Sequence, residues 1–357
     1  MTEDIRYGFI GVGMMGVEHI HNIRALDGAR VTAVSDPSAD SRANAAAVAG
    51  DGVEIFEGHQ ALLESGRCDA VVVASPNMTH VDVLLDVLGH DVHVLVEKPL
   101  CTTVEDCHRV IAAAGGRDGL LWVGLEYRYM PPIARLVDEV RSGTVGTLHM
   151  IAIREHRFPF LAKVGDWNRF NRNTGGTLVE KCCHFFDLMN VICDAPPVRV
   201  MASGGQAVNH LDERYDGERP DILDNAYVIV EYASGARGML DLCMFAEATT
   251  NQEEVVAVGD EGKVEAFLPS QELRVGRRAD GWLSTRSEVV ADDTIPYEGY
   301  HHGSSYLEHV DFRDAIRSGS APAVSPQDGL LSVAVGVAAH RSIDQRRPVD
   351  LAEILVS

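Results

Sequence analysis

Close to the N-terminus a short apolar run, Tyr7–Ile10, leads into Gly11-Val12-Gly13-Met14-Met15-Gly16, and Asp36 follows 20 residues after Gly16. Three glycines in G-x-G-x-x-G are a weak sign alone, because loops are rich in glycine. Here the motif ends a strand, opens a helix and is answered by a carboxylate at the end of the next strand. That context prescribes a strand, a tight turn and a helix N-terminus aimed at a pyrophosphate. Gly11 permits the turn, Gly13 lets the pyrophosphate approach the backbone, and Gly16 allows close helix–strand packing. Met14 and Met15 are expected at the cofactor too, where the helix N-terminus supplies amides and a dipole that suit the phosphates. Asp36 is expected to accept hydrogen bonds from the adenine ribose hydroxyls. A carboxylate there repels a 2′-phosphate, and Pro37-Ser38 offers no arginine to hold one, so NAD is favoured over NADP; Arg42 is near enough in sequence to reach the same place.

The pattern that follows extends this unit. Ala29–Ser35, Ala70–Ala74, Val92–Val96 and Leu120–Leu125 read as strands, and Val17–Leu26 and Val81–Leu88 as helices. Ala70–Ala74 is a continuous apolar run, as expected for a strand buried on both faces of a parallel sheet. Thr102-x-x-Glu105 has the form of a capping box opening a helix through Ala114. Alternation of this kind predicts a doubly wound α/β domain over residues 1–126. Beyond residue 127 the strands follow one another: Leu148–Ile153, Ala226–Tyr232, Ala236–Phe245, Glu254–Val258 and Lys263–Phe267. A helix is expected at Thr177–Ile192, an exposed charged loop at Leu211–Asp221, and closing helices at Tyr306–Arg317 and Gly329–Ser342. Residues 127–357 therefore read as an α+β domain with a mostly antiparallel sheet.

Two clusters hold the chemistry. Ligands of such sheets gather beyond the carboxyl ends of the strands. The strand ending near residue 74 continues into Ser75-Pro76-Asn77 with His80 beyond, and the next ends in Glu97-Lys98-Pro99. These residues are expected around the nicotinamide. Of the 31 basic residues only four are lysine (Lys98, Lys163, Lys181 and Lys263), so Lys98 stands where arginine is the habit of the chain. Lysine can lose its proton when desolvated, whereas arginine effectively cannot. From position alone, a surface lysine and a substrate-facing one both remain open.

The second cluster runs Gly175-Gly176-Thr177-Leu178-Val179-Glu180-Lys181-Cys182-Cys183-His184-Phe185-Phe186-Asp187. On one continuous helix Glu180 and His184 share a face, with Asp187 near the same stripe. An imidazole suits the proton of an alcohol near neutral pH, and a neighbouring carboxylate can orient it. Glu180, Cys182, Cys183, His184 and Asp187 are all able to ligate a metal. But Cys182 and Cys183 diverge round a helix and no second Cys/His group has zinc spacing, so no metal is expected and the thiols read as core fillers.

In this order and spacing, GVGMMG, Asp36, SPNMTH, EKP and GG-x₃-E-x₃-H resemble the Gfo/Idh/MocA oxidoreductase family, relatives of glucose–fructose oxidoreductase and inositol dehydrogenase. The resemblance extends over nearly the whole chain. It implies a Rossmann domain followed by an open-faced, mostly antiparallel domain, and NAD(P)-dependent oxidation or reduction of a carbinol on a sugar or cyclitol. By it Lys98 lines the substrate pocket and His184 is the acid/base, with Glu180 at the family's usual aspartate. Lys181 lies outside the common pattern; a substrate role and a structural ion pair are both open to it. Arg128, Tyr129, Trp167, Asn168, Arg169, His156 and His301-His302 are further pocket candidates, each with a structural or surface role equally open.

The mechanism implied has His184 taking the hydroxyl proton as hydride leaves, Lys98 stabilising the alkoxide, and Glu180 orienting His184 or binding a neighbouring hydroxyl. Two other readings are an enzyme that cleaves glycosides through transient oxidation, and a non-catalytic sugar- or NAD-sensing regulator; a sensor has no need of an acid/base pair. The formal charge of −22 argues against gripping nucleic-acid phosphates or anionic membrane surfaces. The acidic start running straight into a strand, the lack of a membrane-length apolar run and seven cysteines without a framework point to a cytoplasmic protein. A homodimer or homotetramer is expected from the family's sheet pairing.

Overall fold

A computed structural model describes residues 3–356. Two compact units form: the first extends to Tyr129 and includes Asp293–Leu330, and the second comprises Met130–Asp292 and the segment from Leu331.

The first unit is a six-stranded parallel sheet. Its strands are β1 (Ile5–Ile10), β2 (Ala29–Ser35), β3 (Glu54–Phe56), β4 (Ala70–Val73), β5 (His93–Glu97) and β6 (Leu121–Gly124), in the order β3-β2-β1-β4-β5-β6. Every residue of β4 is buried, as its unbroken apolar run requires. Strand order reverses between β1 and β4, which opens the crevice of a doubly wound sheet there. The helix after β5 spans Val104–Ala114 and is capped one residue later than the sequence pattern suggests. Thr103, in extended backbone, accepts the Asp106 N–H at 3.1 Å, so Thr103-x-x-Asp106 rather than Thr102-x-x-Glu105 makes the cap.

Part of the span from residue 127 groups with the first unit. Residues 293–330 belong to the first unit, because their helix Ser304–Ser318 completes its core. Phe312 lies with its ring 6.3 Å from Tyr7 and 5.7 Å from Trp122, both edge-on. The Trp122 indole donates to Glu308 Oε1 at 3.1 Å. Past the helix, Val324 O accepts the N–H of Val123, so the returning chain covers the outer edge of β6.

The second unit is built on nine strands: β7 (Leu148–His156), β8 (Pro197–Gly205), β9 (Asn225–Tyr232), β10 (Arg237–Cys243), β11 (Glu253–Gly259), β12 (Gly262–Leu268), β13 (Glu272–Arg277), β14 (Arg286–Val289) and β15 (Val349–Asp350). Their order is β14-β13-β12-β11-β7-β10-β9-β8-β15. All pairs are antiparallel except β7 with β10. One face of β7, with Ile151, Ile153 and Glu155, is buried and lies against the helix Cys183–Cys193. The other face carries an apolar row: Met201 pairs with Ile229, Ile229 with Met239, Met239 with Ala152, and Ala152 with Val256. Among the described residues, no helix is long and apolar enough to cross a membrane.

Candidate active site

In the first unit the glycine turn is fixed by backbone contact. Gly11 has φ +85°, and a Cβ on it would lie 2.5 Å from the Ser75 amide nitrogen at the end of β4. A Cβ on Gly16 would meet the Gly11 carbonyl oxygen at 2.3 Å. At Gly13, by contrast, a Cβ would meet nothing, so this side of the turn is open. The helix Met14–Arg24 that follows has no side-chain cap, which leaves its first amides directed outward. Asp36 is locked in place by the N–H groups of Val12 at 2.9 Å and Ser38 at 2.8 Å. Arg42 donates through Nη1 to the carbonyl oxygens of Asp36 and Pro37.

A dinucleotide fits these residues. The uncapped helix would take the pyrophosphate over Gly13, and Asp36 the ribose hydroxyls. Beyond β4, the Asn77 amide Nδ2 is buried with no hydrogen-bond partner, a donor suited to a group bound in the crevice.

Two expected cofactor contacts prove to be internal. His80 is fully buried, with Nδ1 2.8 Å from Pro99 O and Nε2 3.0 Å from Ser75 O. Burial lowers its pKa against the pull of these carbonyls, and the ring sits between the loop after β4 and the loop after β5. Glu97 faces the interior: its Oε1 lies 2.8 Å from His19 Nε2. The other oxygen, Oε2, accepts the Lys98 N–H at 3.1 Å. Lys98 itself is half-buried, and the Lys98–Pro99 peptide is cis. Burial opposes the Glu97 charge, but the hydrogen bond and charge of His19, with Lys98 and His301, hold its carboxyl well below the usual range.

The second unit carries the other cluster, and here the expected single helix is broken. Thr177–Glu180 forms one turn and Cys183–Cys193 a separate helix. Between them Cys182 N–H bonds to Thr177 O, five residues back, a widened turn of the π type. Glu180 and His184 are therefore not one regular turn apart, although both are buried. The paired glycines have a steric reason. Gly175 adopts φ +78°, and at Gly176 (φ +89°) a Cβ would lie 2.3 Å from His340 Nε2. That nitrogen accepts the Leu178 N–H at 3.2 Å, and burial brings the His340 pKa down to about 4, keeping it a neutral acceptor. His340 thus caps the helix that leads to Glu180 and His184. Lys181 lies 2.9 Å from Glu155 Oε1, with both side chains buried. Burial lowers its pKa; Glu155 and Glu253 work against that, and Arg157 adds to it. Of the two readings left open for Lys181, this contact corresponds to the ion pair. Cys183 donates its thiol to Glu180 O, and burial raises the Cys182 thiol. Among the described residues no group of His, Cys, Asp and Glu is placed to hold a metal.

The remaining candidates disperse. Arg128 bonds to Ala323 O and Asp328, and Tyr129 to Asp311, so both hold the returning segment. His301 lies 3.5 Å from Glu18 and 3.7 Å from Glu126 within the first unit. His302 is half-buried beside it, with φ +55°. Trp167 is half-buried, but Asn168 and Arg169 are consumed internally: Asn168 Nδ2 bonds to Leu161 O, and Arg169 to Glu213 and Asn168. Glu213 also accepts from Tyr215 and meets His210, so the mostly exposed loop Leu211–Asp221 is braced by its own side chains. His156 pairs with Asp241 on the face of the sheet opposite Glu155. Sequence reasoning missed His19, His309 and His340; the only signal was a histidine at an otherwise apolar helical position.

Residues 5–125 match the NAD-binding Rossmann fold of the Gfo/Idh/MocA oxidoreductases, and residues 137–351 match the family's C-terminal alpha/beta domain. The chain belongs to this family. Myo-inositol 2-dehydrogenase of Thermotoga maritima is 29% identical across 98% of this chain and 100% of its own length. The scyllo-inositol 2-dehydrogenase (NAD(+)) of Bacillus subtilis is 25% identical, covering 98% of this chain and 97% of its own. Among solved structures, levoglucosan dehydrogenase in complex with NADH has the same fold, with a TM-score of 0.88 at 19% identity over 98% of this chain and 99% of that one. As a Gfo/Idh/MocA member, the chain is an NAD-dependent oxidoreductase with a parallel Rossmann sheet and a mostly antiparallel second sheet.

The Lys181–Glu155 contact generates a stability prediction. Lys181→Met leaves Glu155 buried without its nearest cation and should lower unfolding free energy by about 3–5 kcal/mol, and adding Glu155→Leu should recover most of the loss. Urea unfolding of the single and double variants measures it; undiminished stability with a raised substrate KM would make Lys181 a substrate residue instead.

Proposed function

We propose that this chain transfers a hydride between a carbinol of a sugar, cyclitol or related polyol and the nicotinamide of NAD. The observation that carries the reading is the lysine turn. Lys98 stands at the carboxyl end of β5, its backbone anchored by a buried carboxylate, on the same sheet edge as the glycine turn and the Asn77 amide. The inositol dehydrogenases among the relatives support a cyclitol or sugar as substrate class. When bound, NAD supplies the hydride acceptor. His184 takes the hydroxyl proton as the C–H bond breaks, and the Lys98 ammonium hydrogen-bonds the oxygen on which charge develops. Glu180 orients His184 or binds a neighbouring hydroxyl. In the reverse direction the same groups protonate a reduced ketone. Seven cysteines with no disulfide among the described residues support a reducing, cytoplasmic setting.

A second proposal is a homodimer or homotetramer formed through the larger sheet. Its support is the outward row Met201, Ile229 and Met239, all exposed in the single chain.

Three outcomes are expected. On a panel of polyols and sugars, reduced cofactor forms in step with product, and His184→Ala and Lys98→Met each lower kcat by about 10²–10⁴-fold while NADH fluorescence titration shows binding intact. Wild-type turnover in either variant overturns the roles, and glycoside cleavage without stoichiometric NADH replaces the reading with the transient-oxidation one. Asp36→Ser lowers the NAD over NADP preference in kcat/KM by about 10–100-fold, and unchanged selectivity removes Asp36 from cofactor choice. Light scattering gives a mass of two or four chains, reduced to one by Ile229→Glu with Met239→Glu; a wild-type monomer refutes the assembly.

A further inference from the structure

Behind the Lys98 turn lies a buried file of ionisable groups that the proposed hydride transfer does not use. Glu97 Oε2 accepts the Lys98 N–H at 3.1 Å, Glu97 Oε1 lies 2.8 Å from His19 Nε2, and His19 Nδ1 lies 2.8 Å from His309 Nε2. Glu97 is 5% exposed, His19 1% and His309 0%. The carboxylate can only accept. Burial pushes the His309 pKa well down, and its Nε2 can accept when the neutral ring carries its proton on Nδ1. With His309 Nε2 as the acceptor, both ring nitrogens of His19 donate and the ring is an imidazolium held between the two. Burial works against that charge, but Glu97, with Glu18 and Glu126, lifts the His19 pKa above its ordinary value.

We propose that His19 and Glu97 are positioning residues for Lys98: they fix the backbone from which its side chain leaves and set, with opposite signs, the charge of its ammonium. The inference rests on the hydride-transfer reading only in taking Lys98 as the charge offered to substrate. Lys98 interacts electrostatically with both Glu97 and Glu126. The groups around it in this unit are Glu97 and its partner His19, Glu18 on the same helix as His19, Glu126 with His301, and Glu308 and His309 on the returning helix. Burial pushes the Glu308 and Glu126 carboxyls upward, and Glu97 is the carboxylate in direct hydrogen-bond contact with the turn. A carboxylate next to an ammonium favours the charged amine, and the imidazolium behind that carboxylate offsets part of the effect.

The two conservative variants must then act in opposite directions. Glu97→Gln removes the anion, so Lys98 loses its proton at lower pH. His19→Gln keeps a hydrogen-bond donor but removes the cation, so Lys98 holds its proton to higher pH. Each shift should be about one pH unit. The full-length apoprotein carries only four lysines, so acetic anhydride labelling across a pH series, read on the Lys98 peptide by mass spectrometry, follows this amine directly. The matching limb of the kcat pH profile should move with it, while KM for NAD stays within twofold. Unmoved curves, or two shifts of the same sign, overturn the proposal, because a purely structural role moves neither in opposition. Opposite labelling shifts without turnover on any polyol leave this inference standing and remove the hydride-transfer reading. If either variant fails to fold, the wild type decides: coupled His19 and Lys98 titrations give a two-step Lys98 labelling curve, and a single-step curve overturns the proposal.

Discussion

The first unit depends on one backbone contact, the approach of Gly16 to the carbonyl of Gly11. With 2.3 Å between that oxygen and the place a Cβ would occupy, only glycine allows the helix Met14–Arg24 to start where it does. The position of that helix has three consequences at once. Its bare amides open over Gly13, the Val12 amide in the turn just before it locks Asp36, and within the helix His19 reaches Glu97 at the end of β5. Cofactor cradle and Lys98 turn are thus two ends of a single rigid construction, so a change at the glycines would reach the lysine without touching it.

Features encoded locally were legible in the sequence. The glycine turn depends on dihedral sign and on atoms a few residues away, and β4 announces itself by four buried apolar residues in a row. The family pattern was likewise readable, because its motifs are short and their order is fixed. What escaped was non-local or weakly patterned. The returning helix has an ordinary amphipathic sequence, and nothing in it says that Phe312 will lie on Tyr7, some three hundred residues away. β8 is largely exposed, and β13, β14 and β15 are shorter strands toward the margins of their sheet, without the apolar runs that mark buried ones. The widened turn at Cys182 was invisible because helical periodicity reads straight through it.

The candidate site divided along the same line. Backbone-defined positions, from Gly11 to Asp36 and the Lys98 turn, lie where the pattern put them. Residues chosen for their chemistry alone have partners of their own. His80, Glu97, Arg128, Tyr129, Asn168 and Arg169 have partners inside the fold, because a buried polar side chain must be satisfied before it can serve a ligand. Lysine scarcity, a compositional habit, drew attention to two lysines in opposite surroundings. At Lys98 the amine tops a surface turn anchored from below; at Lys181 it neutralises a carboxylate that has no solvent of its own.

The returning segment also bears on how the chain is made. The sheet of the first unit is encoded by the first third of the sequence, yet Tyr7, Trp122 and the outer edge of β6 are covered only by residues 304–324. During synthesis the N-terminal sheet must wait on the ribosome, its aromatic face and strand edge uncovered, while the entire second unit up to residue 292 is translated. A discontinuous unit of this kind is vulnerable for as long as translation lasts, so pauses between residues 130 and 300 prolong its exposure to chaperones and to aggregation.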